Sequence, residues 1–308
     1  MDFRKLKYVL MIAKCQNLTK AAEALYVGQP TLSKFLVSLE EELGVKLFKR
    51  LGNRYMLTYV GERYVEKAGE ILRMKNDLDA EIADIIRRDV GVLNVAYARM
   101  RYTYMLPSTL PEFSRMHPNV RINAVEGTSD RNDRLLLDGQ IDVAFYSMPG
   151  EKNPLIEYIP LAEEELLICT CKGHPLGRLA EPNPYSRYPK LDLSFLQDER
   201  VILMQPDQRT RQTVEYILKN QGLQYENVMC VSSIHAIIGL VANGYGVSFV
   251  FDTHLDHNSL NHQVERYSFG QNRTTSHFVA AVRRNSYLPL YVKDYIEIVR
   301  KQADTQAL

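Results

Sequence analysis

Apolar residues recur at helical spacing through the first quarter of the chain. Phe3, Leu6, Val9, Leu10 and Ala13 form one stripe. Asn17-Leu18-Thr19 interrupts it, and Thr19 is placed to N-cap a short helix from Lys20 to about Leu25. Gly28 reads as a turn glycine free to take positive φ, and Pro30 as a first-turn proline. Leu32, Phe35, Leu36, Leu39 and Leu43 make the next stripe, which Gly44 ends. Two short helices joined by a glycine-containing turn predict a helix-turn-helix. Val45 to Arg50, a turn at Gly52-Asn53 and Arg54 to Leu57 then predict a hairpin with a basic tip, placed where a wing would be.

From Thr58 to about Arg88 the pattern predicts one long helix. Tyr64, Ala68, Ile71, Lys75, Leu78, Ile82 and Ile85 are spaced alternately four and three apart, a heptad seam with one charged position. A lone helix cannot satisfy such a seam internally, so a second copy of the chain is the expected partner. Beyond residue 90 the period changes. Apolar runs at 92–97, 120–125, 142–146, 166–170, 200–204 and 227–231 read as strands. Helical stretches at 105–116, 130–137, 211–221 and 234–243 alternate with them. That alternation predicts an α/β domain with at least partly parallel sheets. A helix, a glycine and a buried strand occur at Leu135-Gly139-Phe145 and again at Leu240-Gly244-Phe249, which suggests two similar lobes with a cleft between them.

Composition narrows the class. With 308 residues, 45% hydrophobic and 24% charged, the chain can bury two or three cores and is not a disordered polyelectrolyte. No apolar stretch approaches the roughly 20 residues of a membrane span, and the N-terminus has no signal core. Four cysteines are too few for a disulfide scaffold. A reduced, cytoplasmic setting is the expectation. The net charge of +1 hides an asymmetry: residues 1–60 hold ten basic and five acidic residues, a net of +5, which leaves −4 on the remainder. A basic head on a mildly acidic body fits a polyanion-binding module joined to something else.

The ordered run Leu18-Thr19-Lys20-Ala21-Ala22-Glu23-Ala24-Leu25, then Gln29-Pro30-Thr31-Leu32-Ser33-Lys34, then Leu39 to Arg50, closed by Leu57-Thr58 and Gly61, resembles the LysR-type transcriptional regulators. Gly173-His174-Pro175-Leu176 and Val241 to Val247 extend the likeness more loosely along the chain. The resemblance implies an N-terminal all-α winged helix-turn-helix (residues 1–58) and a long linker and dimerisation helix (59–89). It implies a C-terminal α/β two-lobed effector domain similar to periplasmic binding proteins (90–308). Lobe I is expected at about 90–162 and 267–308, lobe II at about 163–266. The implied function is a ligand-responsive, sequence-specific DNA-binding regulator of transcription. Its partners would be a double-stranded operator, a small effector, further copies as a homodimer or homotetramer, and RNA polymerase. Gly28 stands where the family often has serine, and Phe35, Val37 and Ser38 where it often has polar or basic residues.

Candidate chemistry falls into two groups. For DNA, Gln29, Pro30, Thr31, Ser33 and Lys34 open the second helix of the pair opposite its apolar stripe, with Thr19 on the first helix. Thr31 suits a thymine methyl and Lys34 guanine or phosphate. Arg50 and Arg54 flank the wing tip and suit phosphates or a minor groove. For an effector, the candidates are loops after strands: Arg99, Met100, Arg101, Tyr102 and Thr103; Thr128 and Ser129; Ser147; Gln205; Ser232 and Ser233; Phe249. Hydroxyls ahead of helices suit a carboxylate, and two arginines strengthen that reading. Cys169 and Cys171 read as inert thiols. His254, His257 and His262, with Asp252 and Asp256, fit no standard metal spacing. No cofactor motif is found, so no cofactor is expected. An enzyme with a DNA-binding appendage would need a convergent acid, base or nucleophile set that the sequence does not display. A transport solute-binding protein fits neither the basic head nor the lack of an export signal.

Overall fold

The computed structural model describes residues 2–52, 54–86, 90–148 and 150–305. Asn53 of the expected wing turn and Arg88 at the expected end of the long helix lie outside the described residues, as does the side chain of Ile85. The chain forms two compact units, Met1–Arg87 and Arg88–Leu308.

The first unit runs α1 (Phe3–Cys15), α2 (Leu18–Ala24), α3 (Gln29–Leu43), β1 (Phe48–Leu51), β2 (Arg54–Leu57) and α4 (Tyr59–Ile85). Val9, Ile12, Leu18, Ala21, Leu32, Leu36, Leu39 and Leu47 form its core. Two local expectations need correction. Asn17, not Thr19, caps α2: its side chain accepts from Lys20 N, and Thr19 lies exposed inside the helix. The positive φ of the turn falls on Tyr26 (55°), whereas Gly28 is extended at −69° and is the N-cap of α3.

Two sets of contacts tie the helical pair to the hairpin and to α4. The buried Glu40 carboxylate accepts from Leu47 N (2.9 Å) and Phe48 N (3.1 Å), fixing the entry to β1. Thr58 Oγ1 donates to Lys46 O (2.7 Å) and accepts from Gly61 N (3.0 Å), so it caps α4 against the same segment. A Cβ on Gly61 would stand 2.0 Å from Leu47 O. These contacts are the physical content of the Glu40 and Thr58-x-x-Gly61 positions of the motif. The first half of α4 packs on α1 through Leu6, Ala68 and Leu72.

The second unit contains β3 (Gly91–Ala98), α5 (Arg99–Met116), β4 (Val120–Gly127), α6 (Ser129–Leu137), β5 (Val143–Ser147) and β6 (Ile156–Cys171). It continues with β7 (Val201–Met204), α7 (Arg209–Asn220), β8 (Val228–Val231), α8 (Ile234–Ala242), β9 (Val247–Phe251) and α9 (Asp252–Asp256). It closes with β10 (Val264–Tyr267), β11 (Thr275–Arg283) and α10 (Leu290–Thr305). The strands lie in the order β4-β3-β5-β11-β6-β9-β7-β8, with β10 beside β6. β3 is parallel to β4 and β5, and β7 is parallel to β8 and β9.

β6 serves both lobes. Its residues 156–165 pair with β11, and its residues 166–171 pair with β9 and β10. Only the second half reads as a strand in the sequence, because Glu163-Glu164-Glu165 interrupts the apolar run. In the second half successive side chains enter opposite faces: Leu166 and Ile168 join the core containing Leu203 and Phe249, while Leu167 and Cys169 join that containing Ile202 and Ile237. Tyr267 and Phe269 also lie in the second-lobe core, so the return to lobe I falls near 274 rather than 267.

α5 begins at Arg99, six residues before the expected start at Met105. Pro107 and Pro111 sit inside it on its exposed side, where water can serve the carbonyls they leave unpaired. Residues 99–103 are therefore helical rather than loop. Burial raises the Cys169 thiol to about 12, which keeps it protonated and unreactive.

Replacing Gly61 with alanine drives a methyl group into the Leu47 carbonyl. The expected loss is about 1–3 kcal/mol, read by denaturant unfolding of the full chain with a DNA-binding assay as a second readout.

Candidate functional site: an exposed helix start and an interlobe cleft

In the first unit the candidate residues lie on α2, on the first turns of α3 and on the hairpin. Gln29, Pro30, Thr31 and Lys34 are exposed on the first turns of α3, Ser33 is half-buried, and Thr19 is exposed on α2. No side chain caps the α3 N-terminus, so its first backbone N–H groups remain available for phosphate. Phe35 is half-buried and packs edge-on against Tyr8 at 5.1 Å, which explains an aromatic at that position. Arg50 and Arg54 are exposed on the hairpin, with Arg50 Nε donating to Gly52 O at 2.9 Å. Lys5 and Lys46 are paired with Glu42 and Glu40. Tyr26, 98% exposed in the turn before α3, was not among the sequence candidates.

In the second unit a cavity of about 290 Å³ opens between the lobes. Its wall is made almost entirely where a parallel strand ends and the next helix begins. Arg99, Met100, Arg101 and Thr103 come from the start of α5, Glu126 and Ser129 from the β4–α6 junction, and Ser147 from the end of β5. The other lobe supplies Met204, Gln208, Arg209 and Thr210 from the β7–α7 junction, Ser232, Ser233, Ile234 and His235 from the β8–α8 junction, and His254 from α9. Four helix N-termini thus converge on one space. Those of α6 and α8 are capped by Thr128 and Ser233; those of α5 and α7 have no side-chain cap.

Eight of the twelve sequence candidates are brought together here: Arg99, Met100, Arg101, Thr103, Ser129, Ser147, Ser232 and Ser233. Four are not in the wall. Tyr102 packs against the first-lobe core. Thr128 Oγ1 caps α6 by accepting from Arg131 N at 3.4 Å. Gln205 lies at the end of β7 with its carbonyl taken by Gln208 N. Phe249 is core, 2% exposed, with the Phe269 ring 5.5 Å away, because strand alternation turns it away from the cleft. Gln208, Arg209, Thr210, His235 and His254 were missed. Starting α7 at 209 rather than 211, and ending β9 at Phe251 rather than before Phe249, would have found most of them.

The arginines differ in role from the expectation. Arg101 is buried and ion-paired with the buried Glu164, donates to Tyr104 OH (3.1 Å) and Ser147 Oγ (3.3 Å), and covers the Phe278 ring at 4.0 Å. Burial alone would lower its pKa, but Glu164 and Tyr104 more than offset that, and the net shift is upward. Its charge is already matched, so it is not free to receive an anion. Arg99 is exposed. Arg209 spans the lobes, reaching Asp130 (3.0 Å) and Asp133 (3.1 Å) on α6. Burial raises Asp133, which also accepts from Tyr146 OH. At the strand crossing Asp252 accepts from Glu165 N and Thr253 N, and burial raises it to about 6. Among the described residues no cluster of three His, Cys, Asp or Glu could hold a metal, and no helix is long and apolar enough to cross a membrane.

A helix-turn-helix followed by a hairpin, and a two-lobed α/β domain with a cleft, define a class: regulators that couple a ligand-binding domain to a helix-turn-helix. Comparison with known proteins makes it specific. Residues 3–62 match the family described as bacterial regulatory helix-turn-helix protein, lysR family, and residues 87–304 match the LysR substrate binding domain. The chain belongs to the LysR family and is a ligand-responsive DNA-binding transcriptional regulator, not an enzyme. It is 29% identical over 260 residues to the HTH-type transcriptional regulator YcgK of Bacillus subtilis (strain 168), covering 80% of this chain and 79% of that one. A full-length OxyR variant of Pseudomonas aeruginosa superposes with a TM-score of 0.75 at 24% identity, over 97% of this chain and 95% of that one. Full-length CbnR complexed with its target DNA superposes at 0.59 and 24% identity, over 98% of this chain and all (100%) of that one.

Replacing Arg101 with methionine leaves the Glu164 carboxylate buried without its partner. The expected cost is about 3–5 kcal/mol in denaturant unfolding, and Arg101→Met with Glu164→Leu should recover most of it. An equally unstable double variant would show that the pair is not what holds this region.

Proposed function

We propose that this regulator works in the cytoplasm as a homodimer, or a homotetramer built from such dimers, that α3 reads operator bases while the hairpin grips the backbone, and that a small anionic metabolite held between the lobes sets its activity toward RNA polymerase. The observation that carries the effector reading is the convergence of four helix N-termini, two without side-chain caps, on one cavity lined by Thr103, Ser129, Ser147 and Ser232. Free N–H groups and hydroxyls can hold a carboxylate without a dedicated counter-ion. Neither the DNA head nor the cleft calls for a resident cofactor. The ligand acts to the extent that it favours one arrangement of the lobes over another.

The dimer reading is supported by the second half of α4. Leu78 and Ile82 of the seam are 55 and 45% exposed there, and Met74 next to its Lys75 position is 72% exposed, after a first half that is packed on α1. A heptad seam left open to solvent on a helix of 27 residues fits a second copy of the same helix.

Two experiments test the reading. Lys34→Ala and Arg50→Ala should each weaken operator binding, and each should lower the slope of log K against log salt by about 1; gel shifts at several salt concentrations measure both. Unchanged slopes would remove these residues from the interface. Leu78→Asp with Ile82→Asp should convert dimer to monomer in sedimentation and abolish operator binding, because carboxylates cannot be buried unpaired in the seam. A variant that stays dimeric would place the main interface elsewhere.

A further inference from the structure

We propose that Tyr26 contacts DNA: its phenol hydroxyl donates to a backbone phosphate at the edge of the groove that α3 enters. This rests on the reading of α3 as the helix that reads bases. Tyr26 follows the C-cap of α2 and is left-handed, with φ 55°. Its N–H donates to Glu23 O (3.1 Å) and that of Val27 to Ala22 O (3.0 Å), the paired bonds that close a helix at a left-handed residue. Val27 packs on the core of the unit, so the turn is anchored without the Tyr26 side chain. Glycine is the residue that this backbone favours, and a bulky side chain strains it. Among the described residues three non-glycine residues have positive φ, Gln16, Tyr26 and Asn285, and only Tyr26 is aromatic. Its side chain is 98% exposed, more than any other large apolar residue among those described. The ring therefore gives the fold no packing in return for the strain. A strained backbone that carries an exposed aromatic points to a partner outside the chain.

Its place in the turn selects DNA as that partner and phosphate as the group. Tyr26 stands just ahead of Gly28, the N-cap of α3, and of Gln29, where α3 begins. A helix in the major groove reads bases with its first turns, so the residues leading into it lie at the groove edge, along the sugar-phosphate backbone. The start of α3 has no side-chain cap. A Cβ on Gly28 would meet Thr31 Oγ1 and Pro30 Cδ at ordinary contact distances of 3.6 and 3.8 Å, so lack of space does not account for the missing cap. A phosphate oxygen is an acceptor, which suits the O–H of a phenol as well as the open N–H groups beside it. The phenol is neutral, so its contact adds affinity without releasing a counterion, unlike that of Lys34 or Arg50.

Gel shifts of the full-length protein at several salt concentrations test the assignment, on a duplex that the wild type enriches from a random-sequence library. Tyr26→Phe should bind roughly tenfold more weakly, a difference of about 1.4 kcal/mol, with the slope of log K against log salt unchanged. The loss should be the same on single-base variants of that duplex, because a phosphate contact positions the protein and carries no sequence preference. Tyr26→Gly should bind at least as weakly as Tyr26→Phe, yet be no less stable than the wild type in denaturant unfolding, since glycine relieves the strained φ. Tyr26→Lys should bind more tightly than Tyr26→Phe and steepen the salt slope by about 1. Wild-type affinity in Tyr26→Phe, a loss that varies with the base sequence, or a less stable Tyr26→Gly chain would overturn the phosphate contact. Lys34→Ala in the same assay separates the two readings. If it weakens binding while the Tyr26 variants do not, the role of Tyr26 falls alone. If it and the Tyr26 variants all bind as the wild type does, α3 does not face DNA, and this inference falls with that reading.

Discussion

The two lobes of the effector domain depend on one strand and on the charge pair that fixes it. β6 is shared by both sheets, and Glu164 sits where its pairing passes from β11 to β9. A carboxylate at such a place would not survive burial alone. Arg101, from the first turn of α5, reaches it, and Ser147, Tyr104, Thr253 and the Phe278 ring complete the surroundings. The pair therefore joins α5 and the end of β5 in the first lobe to the crossing strand and to α9 in the second. Its desolvation cost is high, so its value lies in fixing geometry more than in net stability. Arg101 of this pair lines the interlobe cavity.

One device recurs in both units. α3 in the DNA-binding unit, and α5 and α7 in the effector unit, all begin without a side-chain cap. Helices usually satisfy their first N–H groups with Ser, Thr, Asp or Asn. Where such a cap is missing on a helix that faces open space, an external anion can take its place. On the proposed function, a phosphate in the first unit and a carboxylate in the second would be recognised by the same physics, with neutral hydroxyls added in the cleft.

The interlobe contacts on the far side of the cavity complement the strand crossing. Arg209 bridges from α7 to Asp130 and Asp133 on α6, so it binds the opposing lobe as well as lining the cavity.

Local periodicity carried the sequence a long way. The stripes of α1 and α3, the stop at Gly44, the hairpin and the strands β3, β5, β7 and β8 were legible because each element's own residues specify its period and its ends. Where the reading failed, the deciding partner was distant in the chain. Glu163-Glu164-Glu165 looks like a break in a strand until Arg101 and Ser186 are brought beside it. Residues 99–103 look like a loop ahead of Pro107 until the helix is seen to place both prolines on its exposed side. Phe249 follows the same strand-end logic as Ser232, yet the register of β9 turns it into the core. Eight cleft residues were found from strand ends and hydroxyls alone. His254 and Arg209 were not, because local pattern misplaced the end of β9 and the start of α7, and because burial of an imidazole and an ion pair between lobes are set only by packing.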